Sequence, residues 1–366
     1  MLKIVKGNVY DLPTNVGINY FWCGGFTLSF ILIIQVLTGV ILSLLYVADQ
    51  FLSFNCVMGL SNDELLTWFI RYFHIWGASA IFLVLFIHVL RGFYYNSYNK
   101  TSVWSIGFVL YLLMMVEAFL GYILPWHQMS YWAATVLTSV IQSVPFVGPI
   151  LYTFIVGGFG VTNVTLTRMF AAHVILAFVI LGLSGLHLVY LHKSGSSNSL
   201  NLNKGYSDSI YFHHYFSAKD VLSILGFLLC LFLIVLYNAD LVLDSEAYLQ
   251  ANYMVTPVNI KPEWYFLFYY AMLRSISSKV GGLVFILLFL FVLWVPSGNN
   301  VLCTPYSNFH QIIFWLIIGF LIILSYFGAC HPEWPYDVLS LIISIGLVIL
   351  IICYKFVPVN KFIHLS

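Results

Sequence analysis

The sequence predicts an all-α protein, a polytopic bundle of eight transmembrane helices. Hydrophobic residues fill 61% of its 366 positions and charged residues only 7%, with a mean hydropathy of +0.96. A soluble domain of this size carries far more charge. Apolar runs able to cross ~30 Å of hydrocarbon recur along the whole length, and at that depth a backbone satisfies its own polar groups only as helix or closed barrel. The net charge of +1 carries no nucleic-acid signal.

The spans are expected at residues 22–48, 67–95, 104–124, 168–192, 219–238, 280–296, 311–328 and 339–357. Polar interruptions separate the first two spans and also fall at 193–218 and 239–265. Another lies between the third and fourth spans and contains the helix-compatible stretch Tyr131 to Ser143. The Ser/Asn-rich stretch Ser194 to Asn203 is the expected hinge, dividing the chain into domains at 1–200 and 201–366, each with four spans. The segment before the first span, with Asp11, Lys3 and Lys6, is expected to be neither a secretory signal nor a transit peptide.

Eight spans put both termini on one side. Lys3, Lys6, Arg91, Lys100, Lys193, Lys204, Lys219, Lys355 and Lys361 fall on that side, whereas Arg71, Arg168, Lys261, Arg274 and Lys279 fall opposite. The basic excess assigns the termini to the inner compartment. The six cysteines show no CxxC or CxxCH, which argues against an iron–sulfur site, covalent haem or structural zinc.

Against this apolar background, the second and fourth spans carry histidines at one interval: His74 to His88 and His173 to His187, fourteen residues in each case. Fourteen helical residues rise about 21 Å and complete a little under four turns, so the two imidazoles of a helix lie near one face. Two such helices side by side form two planes of facing imidazoles. A hydrogen-bonded core histidine needs no such matched spacing. Each plane offers two protein ligands and the planes lie too far apart for one metal centre, so two bis-histidine haems b are preferred to zinc or copper.

Gly25 and Gly39 in the first span and Gly107 and Gly121 in the third repeat the fourteen-residue interval. Close helix packing also selects small residues, but a porphyrin edge enters a bundle only where neighbouring backbones lack side chains. Arg71, Arg91 and Arg168 each stand near a histidine and a membrane boundary, where a guanidinium can pair with a haem propionate or snorkel to lipid headgroups. Three readings stay open at this point: a di-haem electron carrier, a di-haem anchor for a dehydrogenase, and a transporter whose buried histidines and acids form a proton path.

The two histidine pairs, GYILPWHQMSYWAATV at 121–136, TRMFAAH at 167–173 and KPEWYFLFYYAMLRSI at 261–276 together resemble cytochrome b of respiratory complex III, the quinol:cytochrome c oxidoreductase, over nearly the whole length. The resemblance implies that His74 and His173 hold a low-potential haem near the outer surface and that His88 and His187 hold a high-potential haem near the inner one. It implies ubiquinol oxidation beside the outer haem, at the Pro262, Glu263, Trp264 and Tyr265 loop, and ubiquinone reduction near the inner haem, at His192, Ser196, Lys219 and Asp220. Electrons then divide between a Rieske iron–sulfur protein feeding a c-type cytochrome and the two haems, while protons are released outside and taken up inside. Other complex III subunits, a homodimer, membrane lipid and the mitochondrial inner membrane, with the termini on the matrix side, complete the expectation.

Chemistry supports parts of it. Quinol oxidation releases protons, and a carboxylate on a loop beside an apolar pocket, as Glu263 is expected to be, suits their acceptance. Quinone reduction needs proton donors, which His192 and Asp220, with Lys219 close by, would supply. His127 stands where the family usually has glycine after Pro-Trp, and Ala133 also replaces a usual glycine, so the outer pocket is expected to differ in shape. His213, His214, His310, His331 and His364 lack a matched partner and are expected at interfaces or in loops.

Overall fold

The computed structural model describes residues 6–62, 66–199, 208–297 and 304–357. The expected domain boundary at 200/201, along with Lys3, Lys204, Cys303, Lys361 and His364, lies outside them. The described residues hold twelve α-helices: α1 (Gly24–Leu45), α2 (Ser53–Asn62), α3 (Thr67–Tyr94), α4 (Thr101–Ile123), α5 (Gln128–Gln142), α6 (Gly148–Val156), α7 (Asn163–Ser194), α8 (Phe212–Tyr237), α9 (Leu267–Arg274), α10 (Lys279–Trp294), α11 (Asn308–Ala329) and α12 (Tyr336–Phe356). The fold is an all-α polytopic bundle, with one short antiparallel strand pair, β1 (Pro13–Asn15) and β2 (Ser209–Tyr211), beside it.

Seven helices, α1, α3, α4, α7, α8, α11 and α12, are long and apolar enough to cross a membrane. The sixth expected span is α10, whose sixteen residues rise about 24 Å, somewhat short of a full hydrocarbon core. Helix starts follow local capping chemistry. Ser307 and Ser278 accept the amides of His310 and Gly281 at the heads of α11 and α10, each at 3.3 Å, and Thr162 with Thr165 forms a capping box at the head of α7. The helix-compatible stretch expected at 131–143 is α5, and α2, α6 and α9 are short helices at the ends of spans.

α1 packs along α3, and α4 along α7. Both pairs run antiparallel, because Gly25 approaches His88 while Gly39 approaches His74, and Gly107 approaches His187 while Gly121 approaches His173. α8 closes α1 and α3, burying Leu231 and Val235 against Trp76. The second half is not a detached unit: Phe93, Tyr98 and Tyr111 of the first half share one core with Tyr269, Phe314, Leu347 and Tyr354. Polar contacts cross the same seam, between the Tyr111 and Tyr269 hydroxyls at 2.5 Å and from the Tyr354 hydroxyl to the Phe93 carbonyl at 2.8 Å. His310, expected at an interface or in a loop, is instead buried at the head of α11 with Nδ1 2.9 Å from Ser307 Oγ.

Lys355 is fully buried in α12. Its ammonium donates to the carbonyls of Val292, Leu293 and Val295 at 2.9, 2.7 and 2.6 Å, satisfying the C-terminal end of α10, where a cation also opposes the helix dipole. The rings of Phe93 and Tyr98 lie 5.3 and 5.2 Å from it. Hydrogen bonds to a charged group contribute about 1.5–3 kcal/mol net, and a methionine of similar length recovers part of that by removing the buried charge. Lys355→Met should therefore cost about 2 kcal/mol of stability in detergent, read as a lower denaturant midpoint, whereas a surface change such as Lys193→Met should leave it unmoved.

Candidate functional site

The site begins with the four glycines. A Cβ added at Gly39 would lie 3.2 Å from His74 Cε1, and one at Gly121 would lie 2.7 Å from His173 Cε1. At the other plane the same construction gives 3.4 Å from Gly25 to His88 and 3.0 Å from Gly107 to His187. Real Cβ atoms rarely make contacts as close as those at Gly39, Gly107 and Gly121, so there the imidazoles occupy the space that missing side chains leave, while at Gly25 a Cβ would make only an ordinary contact. The shared interval follows: antiparallel helices rise equally per residue, so histidines fourteen apart on one require glycines fourteen apart on the other.

Hydrogen bonds orient the outer pair. Thr38 Oγ1 donates to the Ile34 carbonyl at 2.8 Å and thus accepts from His74 Nδ1 at 2.9 Å. His173 Nδ1 faces only acceptors, the Glu117 backbone oxygen at 3.1 Å and Glu117 Oε1 at 2.9 Å. Both rings therefore carry hydrogen on Nδ1 and keep the Nε2 lone pair free, the form in which imidazole binds a metal. Their centroids lie 6.4 Å apart with planes at 84°. Two metal–imidazole bonds of about 2.0 Å and two ring radii give about 6 Å, so the pair fits an iron held from both sides.

A cavity of about 270 Å³ opens at this pair and is lined by His74, His173, Gly39, Gly121, Glu117, Arg71, Tyr122, His127, Glu263 and Tyr265. Arg71 stands in its wall and donates to Ser61 Oγ at 2.6 Å. The Glu263 loop is stitched above it. Lys261 pairs with Asp244 at 3.2 Å, and Tyr72 and Tyr248 both donate to Asp240 at 2.5 Å. Gln128 accepts from the Asn252 amide at 2.7 Å and donates to the Val255 carbonyl at 3.1 Å.

Burial pushes the Glu263 carboxyl up to about 7, opposed by a hydrogen bond from Tyr122, with nearby Asp244 adding to the rise and Lys261 reducing it. Tyr265 stacks on Phe82 at 4.0 Å and 3°, and the Trp264 indole donates to Ser79 Oγ at 3.3 Å. Pro262 and Trp264 stay out of the cavity wall. His127 caps α5, its Nδ1 accepting the Ser130 amide at 3.0 Å. Burial first, and then Arg71, lower its pKa to about 3 against the opposing pull of Asp244, which leaves a neutral ring in the cavity wall.

At the inner plane, Arg91 Nη2 lies 3.4 Å from His88 Nδ1 and its guanidinium sits 5.3 Å from the Trp22 ring. His187 is held by the backbone of Val103, one turn before Gly107 on α4. Arg168 is not in the outer cavity: it is exposed and donates to the Phe154 carbonyl at the end of α6.

Of the expected inner residues, Asp220 is buried and accepts from the Cys23 thiol. Lys219 reaches the Ile18 carbonyl at 3.4 Å and lies over the Tyr215 ring at 4.6 Å. His192 and Ser196 are exposed, and among the described residues no hydrogen bond or ion pair joins them to Lys219 or Asp220. Tyr122, Thr38 and Glu117 are parts of the outer site that sequence reasoning passed over. A signal existed for Glu117: it precedes Gly121 by four residues, one turn along the same helix face.

The family model described as cytochrome b/b6/petB matches residues 9–195. The chain belongs to the cytochrome b family. The family model described as cytochrome b (C-terminal)/b6/petD matches residues 250–348. A solved structure described as a hyperthermophilic respiratory Complex III is similar at 26% identity, covering 97% of this chain and 95% of its own, with a TM-score of 0.91. Membership of this family and seven helices long enough to cross a membrane make the chain a membrane-embedded redox protein, and haem b binding comes with its family. A bulky side chain at Gly121 should lower the haem b content of the purified protein, measured as pyridine haemochrome per chain. Gly182→Leu should not, because a Cβ at Gly182 meets open space.

Proposed function

We propose that this cytochrome b is the di-haem, quinol-oxidising and quinone-reducing subunit of complex III, with quinol--cytochrome-c reductase activity. His74 and His173 hold the outer haem b, His88 and His187 the inner one, and Arg71 and Arg91 pair with propionates. When bound, the two haems supply one-electron carriage across the membrane. The observation that carries the reading is that Glu263 and the His74–His173 pair line one cavity, so a quinol seated there meets a proton acceptor and an electron acceptor together.

The chain's own contribution at the outer site is proton acceptance and exclusion of water. Glu263, with a pKa near 7, takes a proton from the quinol hydroxyl when ionised and releases it toward the outer surface, while Tyr122 steadies the carboxylate. Tyr265, locked by stacking on Phe82, walls the pocket. On the inner side, Asp220 and Lys219 of α8, with His192 near the end of α7 and Ser196 just beyond it, bind ubiquinone and deliver protons to it. A Rieske protein, a c-type cytochrome and a second copy of this chain complete the assembly. The Phe/Leu/Ile/Tyr-rich composition supports the mitochondrial inner membrane, and the basic excess on the terminal side supports matrix-facing termini.

Glu263 accepts protons only when ionised, so quinol oxidation should accelerate as pH rises through about 7. Glu263→Gln should abolish that limb and slow turnover while haem content stays unchanged; an unaltered pH profile would remove Glu263 from the mechanism. His88→Leu should block electron transfer from quinol to the inner quinone site, and intact transfer would contradict the electron path.

A further inference from the structure

Glu117 lies within the apolar span α4, a costly place for an acid. One carboxylate oxygen, Oε1, is 2.9 Å from His173 Nδ1, and its backbone oxygen is 3.1 Å from the same nitrogen. The other oxygen, Oε2, is buried with no hydrogen-bond partner among the described residues. A side chain placed only for packing would not bring a half-satisfied carboxylate to membrane depth. The bond to His173 is what this residue supplies.

The other three imidazoles lack such a partner. His74 donates to the neutral hydroxyl of Thr38, His88 Nδ1 faces the Arg91 guanidinium, and His187 has only the Val103 backbone. The surrounding charges follow the same division. The outer cavity has the carboxyl groups of Glu117 and Glu263 against the single guanidinium of Arg71. The inner plane has Arg91, with Lys100 near enough to feel its charge.

A carboxylate that accepts from the distal nitrogen of an iron-bound imidazole makes that ring a stronger donor and favours the oxidised iron, which carries more positive charge; hydrogen bonding to the ligand shell is one of the levers on haem potential. We propose that Glu117 is a positioning residue that acts through His173 to make the outer haem the harder of the two to reduce. The inference rests on the assignment of His173 as an iron ligand made above. It gives the chain its own source of a downhill step from the outer haem to the inner one.

The experiment is a potentiometric titration of the intact complex, with haem b counted per chain, for the unaltered protein, Glu117→Gln and Glu117→Thr. Gln keeps an acceptor but loses the charge, and Thr gives His173 the kind of partner that His74 already has. Both should retain two haems, with the outer haem shifted about tenfold toward reduction, which is about 59 mV for one electron, and the inner haem unmoved. The oxidised-state electron paramagnetic resonance signal of the outer haem should move in parallel. Thr38→Asp, which offers His74 a carboxylate, should shift the same haem the opposite way, and it serves as the independent test if the Glu117 variants fail to assemble. Two bound haems with unmoved outer potentials in the variants would overturn this inference alone. No haem in the unaltered complex would overturn the underlying assignment as well.

Discussion

The constraint on which this molecule depends is the apposition of a bare backbone to an imidazole at membrane depth. Each of the four histidines faces a glycine on the antiparallel neighbour, and at His74, His173 and His187 the ring fills space that a side chain would claim. Because both helices of a pair rise equally per residue, one interval of fourteen serves histidines and glycines alike. The arrangement fixes the register of α1 against α3 and of α4 against α7, and from that register follow two planes about 21 Å apart along the helices. Replacing Gly39, Gly107 or Gly121 crowds a histidine and a helix interface together.

Much of this was legible in the chain. All eight expected apolar segments are helices, ending within several residues of their expected limits, because hydrophobic length dominates every local preference at that depth. The short helices α2, α6 and α9 were not singled out: they are too short for a span and sit at span ends, where the apolar signal fades. The histidine–glycine register was readable because two periodic signals repeat one another. The hydrogen-bond partners of the rings were less accessible. Thr38 looks unremarkable in sequence until the glycine beside it is known to face a histidine, and Glu117, conspicuous as an acid within an apolar span, shows its partner only once Gly121 is known to face His173.

The expected polar residues divide according to how firmly their surroundings hold them. Glu263 joins the outer cavity because its loop is tied to the Pro-Trp-His-Gln segment by Gln128 and to α3 through Asp240. His127 contributes to that seam by capping α5, a task glycine cannot perform with a side chain, so the departure from the family pattern has a local structural use. Arg168 instead binds the end of α6, a competing carbonyl that charge and position alone did not reveal. The inner cluster stays dispersed: Asp220 meets Cys23 and Lys219 meets aromatic rings, while His192 and Ser196 lie exposed.

The second half holds this machinery in place through a shared core. Tyr354, Lys355 and Tyr269 reach across to Phe93, Tyr98 and Tyr111, so the helices behind the Glu263 loop and the helices carrying the histidines pack as one body. The central claim is that two bis-histidine planes each carry a haem. It is tested most directly by potentiometric titration of the reduced-minus-oxidised visible spectrum of the purified complex, with pyridine haemochrome counted against chain number. The account predicts two haems b per chain, titrating as two one-electron steps at separate potentials. A single haem, or a colourless chain purified under conditions shown to retain haem, would contradict it.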